Sequence, residues 1–201
     1  MNAQPSITLR SSWERADQGT MGKDSGTDLH DRGPEIRKAT ERDLEGILRV
    51  INTTNRLFYS RIVPPERFKD PFVSIEELRR EFERKDFWVG EIAGRMVGTA
   101  ALETVATRFG PVGIITRMYV LPRFQRRGIG TAMIAEIEKE ARGRGVGEIL
   151  IWTDPMATWA VSFYRKLGYS EVDPTVRYHN ETIDTRIEKH GSELLVLRKP
   201  L

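Results

Sequence analysis

Apolar residues recur along the chain with two periods, and the change from one to the other marks out the elements. Glu35-Ile36-Arg37-Lys38-Ala39-Thr40 alternates and predicts a short strand. Thr40 then stands where it caps a helix, with Asp43 three residues on as its acidic partner. Leu44, Ile47, Leu48 and Ile51 repeat at helical spacing. Pro64, Pro65 and Pro71 break the pattern over residues 52 to 73, an expected irregular connection rich in Arg and aromatics. Ser74 opens a second helix, to about Lys85, with Ile75, Leu78 and Phe82 on one face. A meander of strands is predicted next: Phe87 to Ile92, a turn at Ala93-Gly94-Arg95, Met96 to Ala106, a turn at Phe109-Gly110-Pro111, and Val112 to Leu121.

Alternation of helix and strand replaces the meander in the second half. A helix from about Ile129 to Arg142 puts Met133, Ile134, Ile137 and Ala141 on its buried side, and Gly143, Gly145 and Gly147 punctuate its end. Glu148 to Trp152 reads as a buried strand, and Thr158 to Lys166 as a helix burying Ala160, Phe163 and Leu167. Short strands at Tyr169 to Val172 and Leu194 to Leu197 close the domain, separated by a polar loop. The order β-α-α-β-β-β-α-β-α-β-β predicts an α+β fold, a mixed, mainly antiparallel central sheet flanked by helices.

Residues 1 to 33 offer only Ile7, Leu9, Trp13, Met21 and Leu29 as apolar anchors, so an unstructured N-terminal tail is expected before a domain at 34–201. The 201 residues suit one domain, and a net charge of +3 is far from the dense basic blocks of nucleic-acid arms. The absence of cysteine excludes disulfides, thiol nucleophiles and thiolate metal sites, and His30, His179 and His190 are too scattered to supply a metal site instead. No metal is expected. No apolar run reaches the length of a bilayer span, and the start lacks the basic and apolar regions of a signal peptide, which together point to the cytoplasm.

Chemistry concentrates in Met118-Tyr119-Val120-Leu121-Pro122-Arg123-Phe124-Gln125-Arg126-Arg127-Gly128-Ile129-Gly130-Thr131. A strand ends, proline blocks its continuation, and a basic loop with two glycines opens a helix. Such a turn leaves backbone N–H groups converging on one point, reinforced by the helix dipole, and so forms a phosphate cradle. A dinucleotide fingerprint would need glycine at Met133, and a P-loop would need Gly-Lys-Ser/Thr, whereas Gly22-Lys23 precedes Asp24. Neither nucleotide motif applies.

The run Gln125-x-x-Gly128-x-Gly130 after Tyr119-Val120-Leu121-Pro122, with Phe163-Tyr164-Arg165-Lys166-Leu167-Gly168-Tyr169 downstream, resembles the GNAT superfamily of acyl-CoA N-acyltransferases over roughly residues 35 to 201. The resemblance implies acetyl-CoA as co-substrate, its pyrophosphate on the amides of the loop Gln125, Arg126, Arg127, Gly128, Ile129, Gly130 and Thr131. It also implies a bulged strand, Met118, Tyr119 and Val120, that bonds the pantetheine arm and frees an N–H near Val120 for the oxyanion. By the same resemblance Tyr164 is the proton donor to the leaving thiolate; its alternative role is a core aromatic. A carboxylate on the central strands or a water chain takes the amine proton, and Glu103 is the candidate, its alternative an exposed or salt-bridged side chain. The chain departs from the family at Ala157, where an Asn commonly contacts the cofactor. Arg123, Arg126, Arg127, Arg165 and Lys166 all fit a solvated surface, and Arg126 and Arg127 are also placed to steer a polyanion into the loop.

The activity implied is direct transfer of acetyl to an amine in a ternary complex. Residues 52–73, with Phe58, Tyr59, Arg61, Arg67 and Phe68, and residues 173–192, with Arg177, Tyr178, Glu181, Asp184 and Arg186, would shape the acceptor site. Their mix of aromatics and both charges fits a protein or peptide amine, a polyamine or a small amino compound. A membrane partner is not expected, nucleic acid is disfavoured, and a homodimer is allowed. An acyl-CoA-binding sensor or inactive homologue is the alternative, and a phosphate-loop protein for another nucleotide a third reading.

Overall fold

The structure, a computed structural model, describes residues 33–108, 110–173, 175–178, 181–184, 188–189 and 192–201. The expected N-terminal tail therefore lies outside the described residues but for Gly33, as do Phe109 of the expected turn and all three histidines.

A central sheet of seven strands runs in the order β1-β2-β3-β4-β5-β11-β6, where β1 is Glu35–Lys38, β2 Asp86–Ile92, β3 Arg95–Thr107, β4 Gly110–Val120, β5 Glu148–Thr153, β6 Ser170–Val172 and β11 Leu195–Pro200. Neighbours are antiparallel except β4 and β5, which are parallel. The mixed, mainly antiparallel sheet is the one the sequence pattern predicts. Ala93 and Gly94 both take positive φ, 51° and 71°, which matches the twist of the two-residue hairpin joining β2 to β3.

The helices α1 (Leu44–Phe58) and α2 (Ile75–Phe82) cover one face of the sheet, and α3 (Ile129–Gly143) and α4 (Thr158–Lys166) cover the other. Successive strand residues point to opposite faces, so the buried run Phe87-Trp88-Val89 feeds both cores. Phe87 and Val89 meet Ile47, Val50, Ile51 and Leu78, whereas Trp88 joins Met133, Ile134 and Ile137. Burial on both faces explains why β2 and β3 read as apolar runs with little alternation. The predicted cap box before α1 is present: the Thr40 amide donates to Asp43 Oδ2 at 2.7 Å, and Arg37 grips the same carboxylate.

Three expectations are corrected. Helix α1 does not give way near residue 52 but continues to Phe58, because the polar residues there turn inward: Thr54 and Asn55 are buried, and the Asn52 amide exchanges hydrogen bonds of 2.9 and 3.0 Å with the backbone of Val73. The polar stretch before β11 is not loop throughout. It holds two antiparallel pairs, β7 (Thr175–Tyr178) with β8 (Glu181–Asp184), and β9 (Glu188–Lys189) with β10 (Ser192–Glu193), ladders that backbone groups form without any apolar alternation to announce them. In α4 the buried residues are Val161 and Tyr164, while Ala160, Phe163 and Leu167 are only partly covered, because Ala160 and Phe163 face a cleft.

Candidate active site

The cleft begins where β4 leaves β5. The two pair only through Gly113, Ile114 and Ile115 against Ile149, Leu150 and Ile151. Just beyond, β4 bulges: Thr99 faces Tyr119 and Ala101 faces Thr116, so Arg117 and Met118 together stand opposite Ala100. Arg117 takes the left-handed conformation, φ 53°. Its guanidinium is held by Glu81 of α2, with Nε 2.8 Å from Oε2, and lies 5.4 Å from the centre of the Phe72 ring. Burial opposes ionisation of Glu81, but the Arg117 cation outweighs it and leaves the carboxyl below its ordinary value. A two-sided ion pair thus fixes the residue that bends the strand.

The split opens a cleft of about 730 Å³ through the sheet, with residues of α3 and α4 lining it from one face and residues of α1 from the other. The Leu121 amide bonds Val97 O on β3 at 2.8 Å, so by alternation the N–H and C=O of Val120 point away from β3, toward the gap. The carbonyl of Val120 accepts from Gln125 Nε2 at 2.9 Å, which ties the strand end to the loop that follows.

That loop turns through a 3-10 segment, Pro122–Phe124, and then through positive φ at Arg126, 61°, and Gly128, 79°, before α3 starts. The amides of Ile129, Gly130 and Thr131 form the first turn of α3 and have no carbonyl one turn back to bond. All three residues line the cleft. A Cβ on Gly130 would stand 3.0 Å from Phe163 Cζ and 3.2 Å from Met118 Cε, so a side chain there would fill the cradle. Amides with no carbonyl one turn back, a helix N-terminus and the tight clearance at Gly130 fit a phosphate-bearing ligand such as coenzyme A.

Of the residues singled out from sequence, Met118, Tyr119, Val120, Gln125, Arg126, Gly128, Ile129, Gly130, Thr131, Tyr164 and Glu103 all line this one cleft. Arg127 does not; its guanidinium lies 5.6 Å from the centre of the Phe124 ring. Tyr164 is 6% exposed, and burial pushes its phenol well above the ordinary value, so it holds its proton at neutral pH. Burial does the same to Tyr59 and Tyr119. Glu103 sits on β3 opposite Ile114, its carboxylate 3.5 Å from Lys85 Nζ. Ala157 is fully buried at the start of α4 and brings no polar group to the cleft. Among the described residues no group of three or more acidic or histidine side chains could hold a metal, and no helix is long and apolar enough to cross a membrane.

Among the lining residues that escaped the sequence reading are Thr54, Asp154 and Trp159. The signal for Asp154 was its place directly after a buried strand and before a helix, where the cleft of a split sheet opens. Thr54 gave none, since it was assigned to an irregular segment. The acceptor-side candidates at 177–186 lie outside the described side chains, while Phe58 and Tyr59 do line the cleft.

A mixed sheet split at a bulge, with a glycine loop at one mouth of the split, defines the class of fold as that of the N-acetyltransferases. The PaiA N-acetyltransferase from Thermoplasma acidophilum, solved in complex with coenzyme A, matches with a TM-score of 0.68 over 85% of this chain and 100% of that one, at 21% identity. The chain belongs to the acetyltransferase (GNAT) family, whose model matches residues 49–169. An IAA acetyltransferase from Azospirillum brasilense is 30% identical over 157 residues, 78% of this chain and 98% of that protein. A mycothiol acetyltransferase from Saccharomonospora viridis is 31% identical over 122 residues, 57% of this chain, and the chain spans only 40% of that relative's length.

Proposed function

We propose that the protein transfers acetyl from acetyl-CoA to the nitrogen of a primary amine by direct attack in a ternary complex. The observation that carries the reading is the continuous cleft, which joins the amides of the α3 first turn to a buried, protonated tyrosine and on to α1 at the opposite face. Acetyl-CoA supplies the acyl group already activated as a thioester. The amides of 128–131 and the Arg126 guanidinium hold its phosphates. The β4 backbone at the Met118 bulge, without a partner strand on that side, receives the pantetheine amides. The Val120 N–H faces the gap and is the donor for the developing oxyanion. Tyr164 keeps a proton at Oη for the departing sulfur. The carboxylates lining the cleft, Glu103 and Asp154, are the groups to which the amine can yield its proton.

Coenzyme A release over a panel of amines, with calorimetry of acetyl-CoA alone, tests the reading. Binding with amine-dependent release supports it. Binding without release by any amine would instead establish the alternative of an acetyl-CoA sensor, which the apolar Ala157 at a position commonly polar in the family favours.

A further inference from the structure

We infer that the acceptor is a monocationic primary amine with an apolar body, its ammonium held by Asp154 and its body laid against Phe58, Tyr59 and Trp159. The inference rests on the acetyltransferase reading and specifies the acceptor of the same cleft.

Asp154 follows β5 at the point where the gap is open, and it is 8% exposed. Its Oδ1 accepts from the Met156 amide at 2.8 Å, and no cation pairs with it among the described residues. The other acidic groups near the cleft are answered: Glu103 by Lys85 and Glu81 by Arg117. A carboxylate withdrawn from water is unfavourable unless a cation arrives beside it. Asp154 lies close enough to Tyr59 for its charge to add, after burial and the phenols of Tyr119 and Tyr164, to the rise of the Tyr59 pKa. The counter-charge is left to the ligand.

The surface beside it is aromatic. The Trp159 ring lies 5.5 Å from Phe58, tilted, and 6.1 Å from Tyr59, edge on, centre to centre. These rings bridge α4 and the end of α1, yet Trp159 remains 41% exposed and Met156, three residues before it, 60%. Ring faces next to a carboxylate that has no cation among the described residues suit a cation joined to an apolar group. One turn before Phe58, Thr54 also lines the cleft, only 4% exposed, and its hydroxyl has no hydrogen-bond partner. A buried hydroxyl without a partner is a second place where a ligand N–H is called for. A polyamine would need further unpaired carboxylates along its length, and Glu103 is already taken by Lys85.

The proton balance closes on these residues. Asp154 accepts one proton from the bound ammonium and frees the nitrogen lone pair. As the N–C bond forms and the C–S bond breaks, the sulfur takes the Tyr164 proton, and the second nitrogen proton restores the phenol through solvent. The amide and the free thiol leave, and Asp154 returns its proton to water.

Asp154→Asn removes the charge while its amide oxygen still accepts from Met156. With 2-phenylethylamine as probe and coenzyme A present, titration should change the fluorescence of the wild-type protein but not of Asp154→Asn or Trp159→Phe, and the neutral 2-phenylethanol should leave all three unchanged. In turnover, Asp154→Asn should raise the KM for 2-phenylethylamine about 10²-fold, the scale of an unpaired charge contact, with the KM for acetyl-CoA within about twofold. Amine affinity unaltered in Asp154→Asn, or a higher kcat/KM for spermidine than for 2-phenylethylamine, would overturn the inference. Failure of every amine to release coenzyme A counts against the acetyltransferase reading itself, and the fluorescence titration decides separately whether Asp154 binds the cation.

Discussion

Burial raises the Tyr164 phenol above its ordinary value, with the Phe163 and Tyr169 ring centres 5.2 and 5.9 Å from its own. Its packing and its proposed chemistry therefore separate cleanly in Tyr164→Phe. The ring stays, the proton goes, and turnover should fall about 10²- to 10⁴-fold with calorimetric affinity for acetyl-CoA unchanged. Wild-type turnover, measured where chemistry limits the rate, would return Tyr164 to the core. Gly130 makes the opposite kind of case, since its contribution is space. Gly130→Glu pushes a side chain into the 3.0 Å gap beside Phe163 and adds a charge that repels phosphate, so acetyl-CoA binding should be lost while the melting temperature stays near that of the parent. Undiminished affinity in that folded variant would exclude the loop as the anion site.

At the scale of elements, the bulge in β4 carries the site, and the ion pair between Arg117 and Glu81 carries the bulge. Both side chains are less than a fifth exposed, at 18% and 16%. Arg117→Ala strands the Glu81 carboxylate beside Lys85 alone and should lower unfolding free energy by about 3 kcal/mol. In denaturant titrations the double variant with Glu81→Ala should lose less than the sum of the two single losses, since the second change removes the orphaned charge. Strict additivity would mean that the pair does not hold the strand. Helix α4 shows a second element-level effect: Val161 and Tyr164 are buried in the core, while Ala160, Phe163 and the same Tyr164 line the cleft. A single helix thereby links packing to ligand.

Over the whole molecule, two cores on opposite faces of one sheet enclose a cleft that passes between them, and tyrosines collect there and beside it. Tyr59, Tyr119, Tyr164 and Tyr169, four of the chain's five, are all raised above the ordinary phenol value, each first by burial. Their neutral forms are favoured only in the folded state. Unfolded phenols ionise near pH 10, so above about that pH the unfolded chain binds fewer protons than the native one, and stability falls as pH rises. Below about pH 9 both states keep their phenolic protons and the effect vanishes. Melting followed between pH 8 and 11 should show phenolate absorbance appearing together with unfolding. Phenolate appearing for these tyrosines in a still-folded protein, at an unchanged melting temperature, would contradict their burial.

Local order alone determined the elements whose apolar residues alternate, repeat at helical spacing or run unbroken between turn signals: β1, α2, the β2–β3 hairpin with its Ala93-Gly94 turn, β5 and α3. It also determined the glycine loop, because backbone clearance and a helix start are written in adjacent residues. What only the tertiary structure decided depends on contacts between distant segments. Helix α1 runs on past Ile51 because Asn52 finds Val73 and because Thr54 and Asn55 have somewhere to turn. Arg117 bends β4 because Glu81 waits on another helix, and Asp154 becomes a candidate anchor only when Phe58, Tyr59 and Trp159 converge beside it. A lone Asp after a strand has no chemistry of its own. It acquires one when folding removes it from water and places no cation beside it among the described residues, a property of the enclosed space and not of neighbouring residues in the chain.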